Sequence, residues 1–150
     1  MMGYERFLLI DMDSVEIGNI GRQILFTQGD IGLSKVEVVK KRIENRFRKT
    51  TCHCIAKPFE TIPHDILSNV DLFIGCVDNI ETRHAINTFI MKSSKIYIDG
   101  GSTGLGGQVQ LIVPFVSVYF HSKLENSLLS LFILFICFRI ILYSFVYDNQ

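Results

Sequence analysis

The sequence predicts an α/β fold built on a mostly parallel sheet, and three observations predict it. Short apolar runs at residues 7–10 and 70–77 end in carboxylates, the mark of strands buried on both faces. Between them lies a segment whose apolar residues recur every three or four positions, the period of an amphipathic helix. The order strand, helix, strand, helix, strand then holds through residue 113, which is the signature of parallel pairing through helical crossovers.

Taken in order, residues 7–10 form the first strand, because only four apolar residues precede Asp11 and a helix would need more. Residues 14–30 read as a loop with short helical turns, carrying Asn19 and Arg22. From residue 31 to about 47 the chain is helical, with Val36, Val39, Ile43 and Phe47 on one face and Lys40, Lys41, Glu44 and Arg48 opposite. Ser34 or Asp30 is its candidate cap. Residues 51–56 alternate as a strand, with Thr51, His53 and Ile55 on one face and Cys52 and Cys54 on the other. A connection with one helical turn (58–69) leads to the buried strand at 70–77. A crossover helix (81–91) follows, capped by Asp78-Asn79, and then strands at 96–98 and 108–113.

A length of 150 residues allows one domain of ordinary size. Fifteen basic and fifteen acidic residues leave no net charge, which argues against a nucleic-acid partner. The four cysteines, Cys52, Cys54, Cys76 and Cys137, form neither a spaced disulfide framework nor a C-x-x-C pair, and residues 1–6 do not open a cleavable leader. A reducing cytoplasmic or nuclear setting is the expectation. His53 points away from Cys52 and Cys54 on their strand, so core packing outweighs a metal site there.

The chemistry gathers between residues 7 and 35. Asp11 and Asp13 stand at the carboxyl edge of a strand, where open α/β sheets bind ligands and where an acidic residue takes the hydroxyls of a ribose. Asp13 is as well suited to a turn as to a ligand. Arg22 follows eleven residues after Asp11, and Lys35 thirteen residues later, after Gly32-Leu33-Ser34 at the start of a helix. Two cations and a helix N-terminus near such a carboxylate describe a nucleotide phosphate site. Asp78 stands just past the second buried strand.

These residues carry a resemblance. Asp11-Met12-Asp13, Asn19 with Arg22-Gln23, Leu25-Phe26 and Gly32-Leu33-Ser34-Lys35 fall in the order and spacing of the ThiF/MoeB/ubiquitin-activating-enzyme superfamily. Asp78-Asn79 followed by Arg83 and Asn87, and the glycine-rich stretch from Gly100 to Gly107 followed by Val113-Pro114, are similar to two further blocks of that family. The resemblance covers about residues 7 to 117. It implies a Rossmann-like adenylation domain that activates the C-terminal carboxylate of ubiquitin or a ubiquitin-like protein at the expense of ATP. It also implies that Asp11, Asn19, Arg22, Lys35 and Asp78 bind the nucleotide, with Asp78 on Mg²⁺ and with Arg22 and Asp78 as the catalytic pair. No zinc is expected, because the positions that bind it in some relatives fall here on Tyr119 and Ser122. Other readings within the resemblance are a non-catalytic partner subunit of a heterodimeric activating enzyme and a sulfur-carrier-protein adenylyltransferase.

Two features depart from the family pattern. Six residues before the first strand leave no room for the family's opening strand and G-x-G-x-x-G turn, so the chain reads as a fragment, with a partial domain at 1–117, that binds ATP weakly or not at all. Without that central strand, the two strands meant to flank it should carry unpaired backbone groups. Residues 118–150 form an atypical apolar tail. Its stretch 127–147 holds one charge, Arg139, and is long enough for a membrane span, which takes about 20 residues. An arginine there costs roughly 2.5–3.5 kcal/mol on insertion. Sequence foreign to the family is therefore the favoured reading of the tail, ahead of a membrane helix.

Overall fold

The structure, a computed structural model, describes residues 5–103, 106–114, 122–123 and 141–144. Among the described residues seven strands make one sheet: β1 (Arg6–Ile10), β2 (Thr51–Ile55), β3 (Leu72–Gly75), β4 (Ile96–Thr103), β5 (Gly106–Ile112), β6 (Ser122–Lys123) and β7 (Ile141–Ser144). Their spatial order is β2-β1-β7-β3-β4-β5-β6. The helices are α1 (Ile17–Ile20), α2 (Lys35–Arg46), α3 (His64–Ser68) and α4 (Ile80–Ser93).

Pairing is parallel between β1 and β2 and between β3 and β4, and α2 and α4 make the crossovers. Burial follows from the two-residue period of a strand. Leu9 of β1 packs with Val36, Val38 and Val39 of α2 and with Cys52. Leu8 and Ile10 point the other way, into a cluster with Phe73, Ile86, Phe89, Ile90 and Tyr97 that α3 and α4 cover. Phe73 and Phe89 meet with ring centroids 5.4 Å apart. A sheet covered on both faces explains why β1 is apolar at every position from 7 to 10.

The expected strands and helices are present, with four corrections. Helix α2 begins at Lys35 rather than near residue 31, because Gly32 takes a left-handed backbone (φ 86°) that no helix continues through. Ser34 holds the cap position without a capping hydroxyl bond, and Asp30 instead accepts from the Thr27 N–H at 2.6 Å. Strand β3 is shorter than 70–77, since the chain turns off after Gly75 towards the Asp78-Asn79 cap. Strand β4 is longer than 96–98: it pairs antiparallel with β5 out to Thr103↔Gly106, so the glycine stretch is a hairpin rather than an open crossover loop. Gly104 and Leu105 lie outside the described residues.

The fourth correction concerns the middle of the sheet. The expected gap between the site-bearing strands is filled by β7, antiparallel to both, with Leu9↔Leu142 on one side and Ile74↔Leu142 on the other. The backbone groups of β1 and β3 are thereby paired by a segment of the apolar tail. Of the stretch 127–147 only residues 141–144 are described, and they are strand; the rest, with residues 115–121, 124–126 and 148–150, lies outside the described residues. No described helix is long and apolar enough to cross a membrane.

Candidate functional site

A cavity of 120 Å³ opens at the carboxyl ends of the parallel strands. Ile10 to Asp13 line it from the end of β1, Lys57 to Glu60 from beyond β2, Val77, Asp78 and Asn79 from the turn between β3 and α4, and Thr82 from the first turn of α4. Parallel strands bring three loops to one edge, which is why ligand sites of open α/β sheets form there.

Each wall is fixed locally. Asp11 Oδ1 accepts the Asp13 N–H at 2.8 Å, a tight side-chain turn that takes the chain off β1. Residues 13–15 are then zipped to residues 32–35 by three backbone bonds. Val15 donates to Leu33 at 2.8 Å, Gly32 to Val15 at 2.9 Å and Lys35 to Asp13 at 3.0 Å. That zipper sets the N-terminus of α2 beside the end of β1. On the far wall Asn79 Oδ1 accepts the Thr82 N–H at 2.7 Å and caps α4, as the sequence predicts. Thr82 Oγ1 donates to Glu60 at 2.9 Å, tying the β2 loop to the same helix.

The five expected site residues divide between the cavity and its surroundings. Asp11 and Asp78 line the cavity together, with Asp13 between them and Lys35. Lys35 is 2 % exposed, and its ammonium meets Asp13 Oδ2 at 2.8 Å, so it reaches the cavity only through that carboxylate. Asn19 and Arg22 are not part of the lining. Asn19 is buried and spends its side-chain oxygen on the Glu16 N–H at 2.8 Å, closing the cap of α1, while Arg22 is exposed just beyond that helix. Lys57, Glu60 and Thr82 were not legible as site residues. For Lys57 and Glu60 the available signal was their place just past the carboxyl end of a parallel strand; for Thr82 it was the first turn of the helix that follows one.

The lining carries four carboxylates, Asp11, Asp13, Glu60 and Asp78, against one ammonium, Lys57. Such a lining repels a bare polyphosphate and suits a hard divalent cation. Among the described residues no three acidic, histidine or cysteine side chains could hold an ion by themselves. Magnesium takes one or two protein carboxylates and completes its shell with water and phosphate oxygens, so this donor set fits it.

Cys52 and Cys54 are not poised for thiol chemistry. Burial first, and Glu44 second, push Cys52 up to about 12; burial and then Glu37 push Cys54 up to about 11. At pH 8 the thiolate fraction of either is on the order of one in a thousand or less. Both are expected to react with iodoacetamide on the order of 100-fold more slowly than a free thiol in the native protein, and fully in guanidinium. Peptide mass mapping after timed alkylation reads this, and rapid native labelling of Cys52 would contradict its burial.

The ThiF family profile matches residues 1–130. The NEDD8-activating enzyme E1 catalytic subunit of Saccharomyces cerevisiae is 28% identical over 126 residues, covering 79% of this chain and 42% of that protein. The probable molybdopterin-synthase adenylyltransferase of Pyropia yezoensis is 35% identical over 126 residues, covering 79% and 32%. The crystal structure of E. coli MccB with ATP superimposes with a TM-score of 0.66 at 25% identity, covering 77% of this chain and 36% of that one. The chain therefore spans less than half the length of each relative. A doubly covered α/β sheet, a cavity at its carboxyl edge and a match running over most of the sequence lead to one conclusion: this chain belongs to the ThiF family.

Proposed function

We propose that the cavity binds magnesium-ATP and presents its α-phosphate to the C-terminal carboxylate of ubiquitin or a ubiquitin-like protein. The observation that carries this reading is the convergence of Asp11 and Asp78, borne by different strands, on one cavity. In the proposed reaction a carboxylate oxygen of the modifier attacks the α-phosphorus, the bond to the β-phosphate breaks, and acyl adenylate and pyrophosphate form. Asp11 accepts the ribose hydroxyls and Asp78 holds the magnesium, which when bound offsets phosphate charge. Lys35 exchanges Asp13 for a phosphate oxygen, and Arg22 and Asn19 reach the outer phosphates. The domain so used is 1–117, completed in the middle of its sheet by residues 141–144 of the apolar tail 118–150. The setting is cytoplasmic or nuclear, and a partner subunit of an activating-enzyme heterodimer is part of the reading.

A second reading is a non-catalytic partner subunit. It is favoured by Arg22 and Asn19 lying outside the lining and by Lys35 being engaged with Asp13. A third, adenylation of a sulfur-carrier protein, draws on the Pyropia yezoensis relative, which is named an adenylyltransferase. ATP–pyrophosphate exchange at millimolar magnesium-ATP, with ubiquitin, ubiquitin-like proteins and sulfur carriers added in turn, separates the three. Exchange that requires one of the first two is the expected result. Nucleotide binding without exchange selects the partner-subunit reading, and the absence of nucleotide binding overturns the assignment of the cavity.

A further inference from the structure

Arg83 lies in the first turns of α4, directly behind the cavity wall, and the reaction above makes no use of it. Its Nε and Nη2 donate to the Val77 carbonyl at 3.1 and 2.7 Å. Nη2 also reaches the Gly100 carbonyl at 3.2 Å, and Nη1 pairs with Asp99 Oδ2. The other oxygen of Asp99 accepts the Tyr97 hydroxyl at 2.9 Å. Tyr97 is 1 % exposed and lies across Gly75, where an added Cβ would fall 2.3 Å from its phenolic oxygen, so only glycine fits beneath it. The result is a continuous chain of contacts from the core of β4 to the carbonyl immediately before Asp78.

A core made only for stability has little use for this arrangement. Burial pushes the Asp99 carboxyl above its ordinary range even with Arg83 and Tyr97 beside it, the mark of a carboxylate that has given up water. Well-packed apolar groups of the same volume are often as stable as a buried ion pair, or more so. A planar guanidinium, however, fixes direction as well as charge, because its donors are held in a rigid fork. Here the fork grips the backbone at a turn that carries a cavity carboxylate on the next residue.

We infer that Arg83 is the positioning residue of the metal site: it aims the Asp78 carboxylate into the cavity by holding the Val77 carbonyl, with Asp99 and Tyr97 as its anchor. The inference rests on reading the cavity as a magnesium-nucleotide site, but its test needs no nucleotide. Mn²⁺ alone, added to the ¹⁵N-labelled chain, should broaden the amide signals of residues 11–13 and 77–79. In Arg83→Gln the Mn²⁺ needed for half-broadening should rise tenfold or more, while the signals of α2 keep their positions. Arg83→Lys, a point charge without the fork, should recover only part of the loss. Where Arg83→Gln does not fold, Tyr97→Phe keeps the ring, removes one anchor bond and should raise the requirement about threefold. A folded Arg83→Gln with an unchanged Mn²⁺ requirement overturns the inference, as does a wild-type chain in which Mn²⁺ leaves residues 77–79 untouched. Failure of ATP to bind, with the Mn²⁺ results as expected, sinks only the nucleotide reading.

Discussion

Leu142→Pro is expected to abolish the cooperative thermal transition of this chain, or to lower its midpoint by more than 10 °C. Strand β7 is paired on both sides, with Leu8↔Tyr143 and Leu9↔Leu142 towards β1 and Phe73↔Tyr143 and Ile74↔Leu142 towards β3. Proline has no N–H to give to a ladder, and its ring excludes it from the interior of a sheet. The direct cost is a lost ladder bond whose partner is left unsatisfied, about 1–3 kcal/mol. The indirect cost is larger, because a displaced β7 strips the backbones of β1 and β3 of partners in the middle of the sheet. A domain of this size has a total stability of roughly 5–15 kcal/mol, so the substitution removes a large share of it. Circular dichroism on heating decides the matter. A Leu142→Pro variant that melts within two degrees of the parent would show that the sheet does not depend on this strand.

The second large effect is expected from Asp78→Asn. The amide keeps the volume of the carboxylate, and the helix cap is made by Asn79, so neither shape nor cap is altered. What changes is the charge offered to a hard cation, for which a neutral amide oxygen is a poor substitute. Modifier-dependent ATP–pyrophosphate exchange should fall at least 100-fold, equivalent to about 2.7 kcal/mol of transition-state stabilisation. Asp11→Asn should act mainly on nucleotide affinity, because a ribose contact is made in ground state and transition state alike. Exchange by Asp78→Asn within threefold of the parent, with the fold intact, removes Asp78 from the mechanism.

Much of the framework was legible because local pattern and tertiary role agree. The period of Val36, Val39 and Ile43 is the face that α2 turns to the sheet, and the unbroken apolarity of residues 7–10 is what a strand between two helical layers requires. Strand β7 was not legible. Four residues inside a uniformly apolar tail have no period to read, and their pairing depends on strands far away in sequence. The start of α2 was misplaced because a pattern of side chains does not report the backbone of Gly32. In the site, carboxylates at strand ends were found because topology alone puts them on one edge. Arg22 stands outside the lining, on the loop whose ends the zipper between residues 13–15 and 32–35 joins, and spacing along the chain does not report where such a loop folds. The grip of Arg83 on Val77 was hidden for a further reason: one arginine in a helix gives no sign of the carbonyl it will hold.

The antiparallel seam also has a kinetic meaning. The parallel pairs β1-β2 and β3-β4 each enclose their own helix and need only contacts of moderate range, whereas Leu8 meets Tyr143 across nearly the whole polypeptide. Loop-closure entropy makes the joining of such distant segments the slow event in folding. Two half-sheets therefore form early, each with a raw flank of donors and acceptors. The molecule stays vulnerable to sticking to its neighbours until the last strand slides between them.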